Sequence, residues 1–466
     1  MEEPAVHATK HRLTERFGVE HELGIEGGTV VTGRGRARTN VYVDGGRIVS
    51  VTGSRAPSLK MIDASGLLVM PGMVDAHVHF MDPGEPQRED FTSGSAAAAV
   101  AGVTTVLEHS HCSPVVSAAD LEKKRRYLDG RSHVDYGLGA HAVAARLDEL
   151  PGVWAAGAAF IKVFTCTTHG IEGFDAGALR RLFEAVAALP AICLAHCEDE
   201  SLTAAAEKAL RDARREDGAI VPEWRNLEAE VLAAYAVGLL AAVTGASVVV
   251  AHVTSPETLG ALAPHRARTR LIAESCPQYL CLLEHEVLSE GSLRKFTPPA
   301  RARSRRDLAA MWEAVSCGEV DYIASDHAPA TLQQKMAGSI WDAPFGLPGV
   351  DTTLPVLLTG AADGRLSYER VAALYSERPA QVFGLHPRKG SLSPGADADL
   401  VLIDPKATYE LRNEHIRSRA GWTPLAGKTM KGRAVQTLLR GQVVAADGAL
   451  VGDRRGRFVQ GRRSEG

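Results

Sequence analysis

Short apolar runs alternate with alanine- and leucine-rich segments from Pro71 to about Leu385. The apolar runs include TTVLEH, AFIKVF, ICLAHC, SVVVAHV, RLIAES and DYIASD. Short apolar runs separated by helical patterns predict repeated strand–helix units. No glycine-rich dinucleotide fingerprint follows an early strand, so the pattern favours a closed (β/α)8 barrel over residues 71–387 rather than a doubly wound sheet.

The pattern changes at both ends of the chain, where short β-rich runs are split by glycine. The two β-rich pieces are residues 21–70 and 388–455, and they can pair in space if the barrel brings its ends together. We therefore predict an α/β protein, a (β/α)8 TIM barrel with a composite β-sandwich domain. Residues 1–20 are expected to form a leader and residues 456–466 a solvated basic tail.

Composition and charge exclude several classes of protein. The chain has 466 residues, 23% of them charged, and a formal net charge of -4, which gives no support to a nucleic-acid or membrane partner. It has no run of 18 apolar residues and no secretory signal at its start. Its seven cysteines are scattered and odd in number, which is typical of reduced thiols. These features indicate a cytoplasmic enzyme.

The segment VDAHVHF places His77 and His79 two residues apart at the end of an apolar strand. Side chains two apart on a strand project from the same face, so both imidazoles can bind one metal ion. Two histidines in this pattern often occur by chance, but other strand ends supply partners. These partners are Lys162, His196, His252 and Asp326. The carboxyl ends of the strands form the catalytic face of a barrel, so the six residues predict one site.

These donor groups suit two divalent ions, most simply zinc. His77, His79 and Asp326 would hold the first ion, and His196 and His252 the second. Lys162 cannot bind a metal as an ammonium group, so it must lose its proton or become a carbamate by reaction with carbon dioxide. A carbamate could bridge two ions about 3.5–4 Å apart, and the bridging water would become a nucleophilic hydroxide. Asp326 could accept the water proton and pass it to the leaving nitrogen.

The motifs IDASGLLVMPGMVDAHVHF, IKVF, LAHCE, VAHVTS and SDHAP together resemble the cyclic-amidohydrolase branch of the amidohydrolase superfamily. That branch contains allantoinases, hydantoinases (dihydropyrimidinases) and dihydroorotases, and the resemblance covers roughly residues 25–450. It implies a barrel with a β-sandwich, two zinc-like ions bridged by carboxylated Lys162, and a homo-oligomer, commonly a dimer or tetramer. It places the metal ligands on the same six residues.

The residue at position 81 bears on the choice of substrate. Dihydroorotases carry an arginine where this chain has Met81, and a thioether cannot pair with a substrate carboxylate. We therefore expect an allantoinase-like hydrolase that opens a cyclic amide or ureide. Hydantoinase, dihydropyrimidinase or dihydroorotase activity is the alternative. A mononuclear deaminase is disfavoured by Lys162, and an inactive scaffold is disfavoured because all six ligands are present.

The family's substrate loops also resemble segments of this chain. Expected substrate contacts in or near these loops are Met81, Thr165, Cys276, Pro299, His327, Pro348 and Gly349. His109 and His111, in LEHSHC, are expected to be polar groups outside the set of ligands.

Overall fold

The computed structural model describes residues 20–189 and 191–461. A β domain is built from both ends of the chain. One of its sheets contains the strands His21–Glu26, Asn40–Asp44, Arg47–Thr52 and Ser58–Asp63. The other contains Thr29–Thr32, Gly35–Arg38, Leu68–Pro71, Leu400–Glu410, Thr429–Leu439, Gln442–Ala446 and Ala449–Leu450.

The pairing between these strands joins the two ends of the chain directly. Leu400–Glu410 runs antiparallel to Leu68–Pro71, with Val401 opposite Met70. Leu23, Val41 and Leu402 belong to one buried apolar cluster, so N- and C-terminal strands share a core. Strands from the two ends of the chain therefore lie in one sheet.

Residues between the two β-rich pieces form a parallel core. Its strands are Met73–Val78, Val103–Glu108, Asp135–Leu138, Ala140–His141, Ile161–Phe164, Ile192–His196, Ser247–Val250, Leu271–Ser275 and Tyr322–Ile323. Each neighbouring pair within its sheets is parallel. Val78 also forms a parallel bridge to His327, and the His79 amide donates to the His327 carbonyl over 2.7 Å. The first strand therefore meets the chain that follows the last strand.

Helices connect these strands. The α-helices are Phe91–Val100, Ala118–Leu128, Leu150–Ala156, Ala176–Ala188, Glu200–Asp212, Ile220–Trp224, Leu227–Thr244, Pro256–Arg266, Glu286–Glu290, Arg305–Cys317, Leu332–Met336, Thr353–Ala362, Tyr368–Ala372 and Arg378–Val382. Several begin where the sequence supplies a capping side chain. The Asn226 side chain accepts from the Ala229 amide, and Ser304 forms a reciprocal capping box with Asp307.

One segment, Ile220–Thr244, is long and apolar enough to span a membrane by length and composition. The helix Leu227–Thr244 instead buries Ala233, Val237 and Ala241 in the main apolar cluster of the protein. Its apolar composition is therefore explained by packing on the parallel core.

The end of the chain differs from the sequence-based expectation. Residues 456–461 do not form a solvated tail, because Phe458 bridges to Tyr136 and Val459 is buried. The Arg457 amide also donates to Asp135 over 2.8 Å. Residues 462–466 and the expected leader, apart from residue 20, lie outside the described residues.

A buried ion cluster connects the β domain with the parallel core. Lys389 is 1% exposed, and its Nζ lies 2.5 Å from Asp135, 2.9 Å from Asp397 and 2.6 Å from Asp399. Burial lowers the pKa of Lys389, but the three carboxylates outweigh it and raise the pKa above its usual value. The Arg440 guanidinium also contacts Asp135, at 2.5 Å. The cluster links a core strand to the segment that leads back into the β domain.

Lys389→Met should lower the free energy of unfolding by about 3–5 kcal/mol, because it leaves buried carboxylates without their cation. Urea unfolding followed by circular dichroism measures this change. Lys431→Met is the matched control, since its exposed pair with Asp363 should contribute about 1 kcal/mol or less. Equal effects of the two substitutions would contradict a stabilising role for the cluster.

Candidate metal centre

The six ligand candidates lie at the carboxyl ends of the parallel strands. Three candidates lie within strands: His77 in Met73–Val78, Lys162 in Ile161–Phe164 and His196 in Ile192–His196. His79, His252 and Asp326 follow the ends of their strands by one to three residues. All six line one cavity that is partly open to solvent. Its wall is formed by His77, His79, His111, Lys162, Phe164, His169, His196, His252, Thr297, Asp326, Ala328, Phe345 and Gly346.

The first ligand group has the spacing of a tetrahedral metal site. Asp326 Oδ1 lies 3.3 Å from His77 Nε2 and 3.4 Å from His79 Nε2. Two atoms bound to one tetrahedral zinc ion lie about 3.3–3.4 Å apart, given bonds of about 2.0–2.1 Å. Burial lowers the pKa of His79 to about 4, so its imidazole is neutral and can offer a lone pair. These three residues fit a divalent ion.

The second ligand group is a pair of facing imidazoles. His196 Nδ1 lies 3.0 Å from His252 Nε2, which is close to the separation of two ligands on one ion. Burial lowers the pKa of both histidines, so both are neutral near pH 7. Two neutral imidazoles whose nitrogens converge in this way fit a second ion.

Hydrogen bonds to the opposite ring nitrogens fix which atoms face the cavity in the first group. Glu274, which is fully buried, accepts from His77 Nδ1 over 2.6 Å. His79 Nδ1 donates to the His109 carbonyl over 2.8 Å. In both histidines Nε2 is thereby left for a metal ion, which is the usual way that proteins orient such ligands.

Glu198 plays the same role in the second group. Its Oε2 accepts from His196 Nε2 over 2.7 Å and from the Thr297 hydroxyl over 2.7 Å, and it lies 3.4 Å from Arg225 Nη1. Burial raises the pKa of Glu198, but Arg225 and the hydrogen bonds outweigh it and lower the pKa to about 2. The carboxylate is therefore ionised, and it turns Nδ1 of His196 toward His252.

Lys162 is buried, with 1% of its surface exposed. Burial lowers its pKa below the usual value, although Asp326 and Glu274 act in the opposite direction. Its Nζ lies 5.0 Å from the centre of the Phe164 ring. A lysine with a lowered pKa is more often a neutral amine, and a neutral amine is a nucleophile.

Additional histidines surround the six candidates. His109 packs at 4.6 Å from His77 and 4.3 Å from His79, measured between ring centres. The His111 ring stacks on His169, and its centre lies 4.0 Å from that of the tilted His79 ring. Burial lowers the pKa of His109, His111 and His169 well below the usual value, so these rings are neutral. His109 and His111 were expected to lie outside the ligand set, and the role of His169 could not be read from the sequence.

The seven expected substrate contacts lie around the cavity but are not among the residues of its wall. Met81 is buried against Cys112, with 3.6 Å between the sulfur atoms. The Thr165 hydroxyl is engaged with the backbone carbonyls of His196 and Glu198. His327 Nδ1 accepts from the Gly349 amide over 3.0 Å.

Neighbouring residues of the same loops reach the wall instead. Thr297 lines the cavity where Pro299 was expected, and Ala328 does so in place of His327. Phe345 and Gly346 line it in place of Pro348 and Gly349, which are buried nearby. Cys276 is fully buried beneath the site.

Sequence reasoning missed Glu274 and Glu198. Both leave a signal in the sequence: Glu274 is a carboxylate inside the apolar run LIAES, and Glu198 follows His196 by two residues. A buried carboxylate in a strand requires a partner, which is the argument that singled out Lys162.

The comparisons with known proteins agree with this geometry. The sequence profile of the Amidohydrolase family matches residues 68–444. A dihydroorotase from Halobacterium salinarum is 36% identical over 91% of this chain and 97% of its own length. An allantoinase from Rubrobacter xylanophilus is 34% identical, over 96% of this chain and 99% of its own length.

A D-phenylhydantoinase from Escherichia coli is 33% identical over 94% of this chain and 97% of its own length. Among solved structures, the L-hydantoinase (dihydropyrimidinase) from Arthrobacter aurescens superimposes with a TM-score of 0.90 at 29% identity. That superposition covers 94% of this chain and all of the other. Given a profile match over most of the chain and relatives above 30% identity along nearly its full length, this protein belongs to the amidohydrolase family.

Proposed function

We propose that this protein is a two-metal hydrolase that opens the ring of a cyclic amide or ureide, in the manner of an allantoinase. One observation carries the proposal: the six donor residues line a single cavity, with the spacing of ligands in two groups. The relatives named as dihydroorotase, allantoinase and hydantoinase support the same class of reaction.

We infer that the parallel core is a closed (β/α)8 barrel and that the β domain is a sandwich. The bridge between Val78 and His327 supports closure, because it joins the two ends of the strand order. The TM-score of 0.90 to a hydantoinase supports the same architecture. In a barrel of this kind the carboxyl ends of the strands form the catalytic face.

Two divalent ions, most simply zinc, would lower the pKa of a shared water and polarise the ring carbonyl. The protein's own residues orient the metal ligands and move protons. Asp326 lies within reach of both first-group histidines, and its carboxylate can accept a proton from water and return it to the ring nitrogen that leaves. Burial raises the pKa of Asp326, but the neighbouring histidines outweigh it and lower the pKa, so the carboxylate is ionised.

Lys162 would supply the bridge between the two groups as a carbamate. The lone pair of its neutral amine would bond to the carbon of carbon dioxide as one C=O π bond breaks. The nitrogen would then pass a proton to water, which leaves a carbamate with two oxygens. The lowered pKa of Lys162, caused by burial, favours this reaction because the amine is the reacting form. A mononuclear deaminase would need no lysine at this strand end, and an inactive scaffold would not need six converging donors.

The substrate is proposed to be uncharged. Lys162 is the one lysine or arginine among the residues that line the described cavity, and Met81 takes the place where dihydroorotases have arginine. A hydantoinase, a dihydropyrimidinase or a dihydroorotase remains the alternative, since relatives with these names are of similar identity. Self-association into a dimer or tetramer and a cytoplasmic location stay predictions.

Lys162→Ala should abolish ring opening, because no other side chain of the wall can bridge the two ligand groups. Steady-state assays of the zinc-loaded protein measure this loss. The wild-type protein incubated with ¹³C-bicarbonate should show a carbamate signal by NMR that Lys162→Arg lacks. Near-normal turnover by the Lys162→Ala protein would contradict the proposed centre.

Glu198→Gln should weaken the second metal site, because the neutral amide is a poorer acceptor for the His196 N–H. Substitution of a partner that orients a metal ligand typically costs about 10–100-fold in metal affinity. Chelator competition followed by elemental analysis measures the affinity of each ion. Glu207→Gln is the control, since Glu207 pairs on the surface with Arg211, and equal affinities in the two variants would exclude this role for Glu198.

Allantoin should be hydrolysed with a kcat/KM at least about tenfold above that of dihydroorotate, because a buried carboxylate left without a cation loses about 1.5–3 kcal/mol. A panel of allantoin, dihydrouracil, 5-phenylhydantoin and dihydroorotate, each with zinc, cobalt or manganese, measures this difference. Dihydroorotate as the best substrate would overturn the inference from Met81.

A further inference from the structure

We propose that His111 and His169 form a binding site for an uncharged, hydrogen-bonding substituent on the substrate ring, such as a ureido or primary amide group. This inference rests on the proposed function and names the part of the cavity that would select the substrate. It concerns two residues that the candidate metal centre does not require as ligands.

The two rings form an ordered stack beside the metal centre. Their centres lie 4.0 Å apart and their planes are inclined by 4°. The His79 ring also lies 4.0 Å from His111, with the two planes inclined by 30°. A metal ion lies in the plane of each imidazole that binds it, so two parallel stacked rings are poorly placed to bind one ion together. The pair therefore forms a wall of the cavity and not a third metal site.

Two different loops bring the rings together. His111 follows the strand Val103–Glu108, and His169 follows the strand Ile161–Phe164. His169 has a φ of 53°, and the turn around it is closed by backbone hydrogen bonds between Thr168 and Ile171. A left-handed conformation is uncommon for a residue other than glycine, so the turn determines where this ring stands. Phe345 contacts its edge from a third loop, with ring centres 6.0 Å apart.

The polar atoms of His111 point to a ligand. Both of its ring nitrogens are buried, and neither has a hydrogen-bond partner among the described residues. An unsatisfied buried polar group costs about 1–3 kcal/mol, so a ligand that pairs with it gains selectivity. A neutral imidazole offers one donor and one acceptor. A ureido or amide group, with N–H groups and a carbonyl, is complementary to that combination.

Other substituents match this wall less well. A carboxylate would lie beside ionised Asp326 with no guanidinium in the described wall to pair with it. A phenyl group could stack on the rings, but it would leave the His111 nitrogens unpaired. Sites built to hydrogen-bond a substrate group discriminate strongly against analogues that lack the group.

The test compares one ring with and without the substituent. Allantoin is a hydantoin ring that carries a ureido group, so unsubstituted hydantoin is its internal control. His111→Phe and His169→Phe keep a stacking ring and remove the nitrogens. Each should lower the ratio of kcat/KM for allantoin to that for hydantoin by about tenfold or more, mainly through KM. The same ratio for His415→Phe, far along the chain in the β domain, should stay at the wild-type value.

Elemental analysis of each variant measures its metal content. It distinguishes a loss of substituent binding from a loss of metal caused by disturbance of the neighbouring His79. A lowered ratio of kcat/KM for allantoin to that for hydantoin, in a variant that keeps two metal ions per chain, supports the proposal. An unchanged ratio, or an equal fall for both substrates, overturns it while the proposed ring opening stands. If the zinc-loaded wild-type protein opens neither ring, the proposed function fails and this inference fails with it.

Discussion

The carboxylate of Glu274 is the point on which the site depends. It is fully buried and accepts hydrogen bonds from His77 Nδ1, from the Tyr322 hydroxyl and from the backbone amide of His252. These three partners come from separate strands of the parallel core or their ends. One side chain therefore orients a first-group ligand and also holds the backbone of a second-group ligand. Because a buried carboxylate is costly without such partners, the strands and the site stabilise each other.

The convergence of the six candidate ligands on one cavity could be predicted from the sequence because its signals are local. Polar residues that end apolar strands stand out, and parallel strands bring their carboxyl ends to one edge, so His77, Lys162 and Asp326 converge without further information. The composite β domain was predictable for a similar reason, since β-rich patterns occur at both ends of the chain. The packing of residues 456–461 could not be predicted, because these residues pack on the edge of a sheet that exists only in the folded core.

The substrate contacts show where prediction from sequence stops. The loops around Pro299, His327 and Pro348 were identified, yet Thr297, Ala328 and Phe345 are the residues that reach the wall. Which residue of a loop faces a cavity depends on tertiary hydrogen bonds, such as the one that His327 accepts from Gly349. The periodicity of hydrophobic positions does not predict which side chain of such a loop faces a cavity. His111 was visible as a histidine, but its place in the wall follows from stacking on His169, a residue more than fifty positions away in the chain.

This division between strands and loops explains why relatives with different substrates resemble the chain almost equally. A dihydroorotase, an allantoinase and a D-phenylhydantoinase match it at 36%, 34% and 33% identity. Under the proposed function, ring opening needs the strand-end donors and their buried carboxylate partners. Selection of the ring substituent falls to loop residues such as His111 and His169, which can change without disturbing Glu274 or Glu198. Under the proposed function, overall identity would therefore report the reaction class, and the loops that follow the strands would decide which ring is opened.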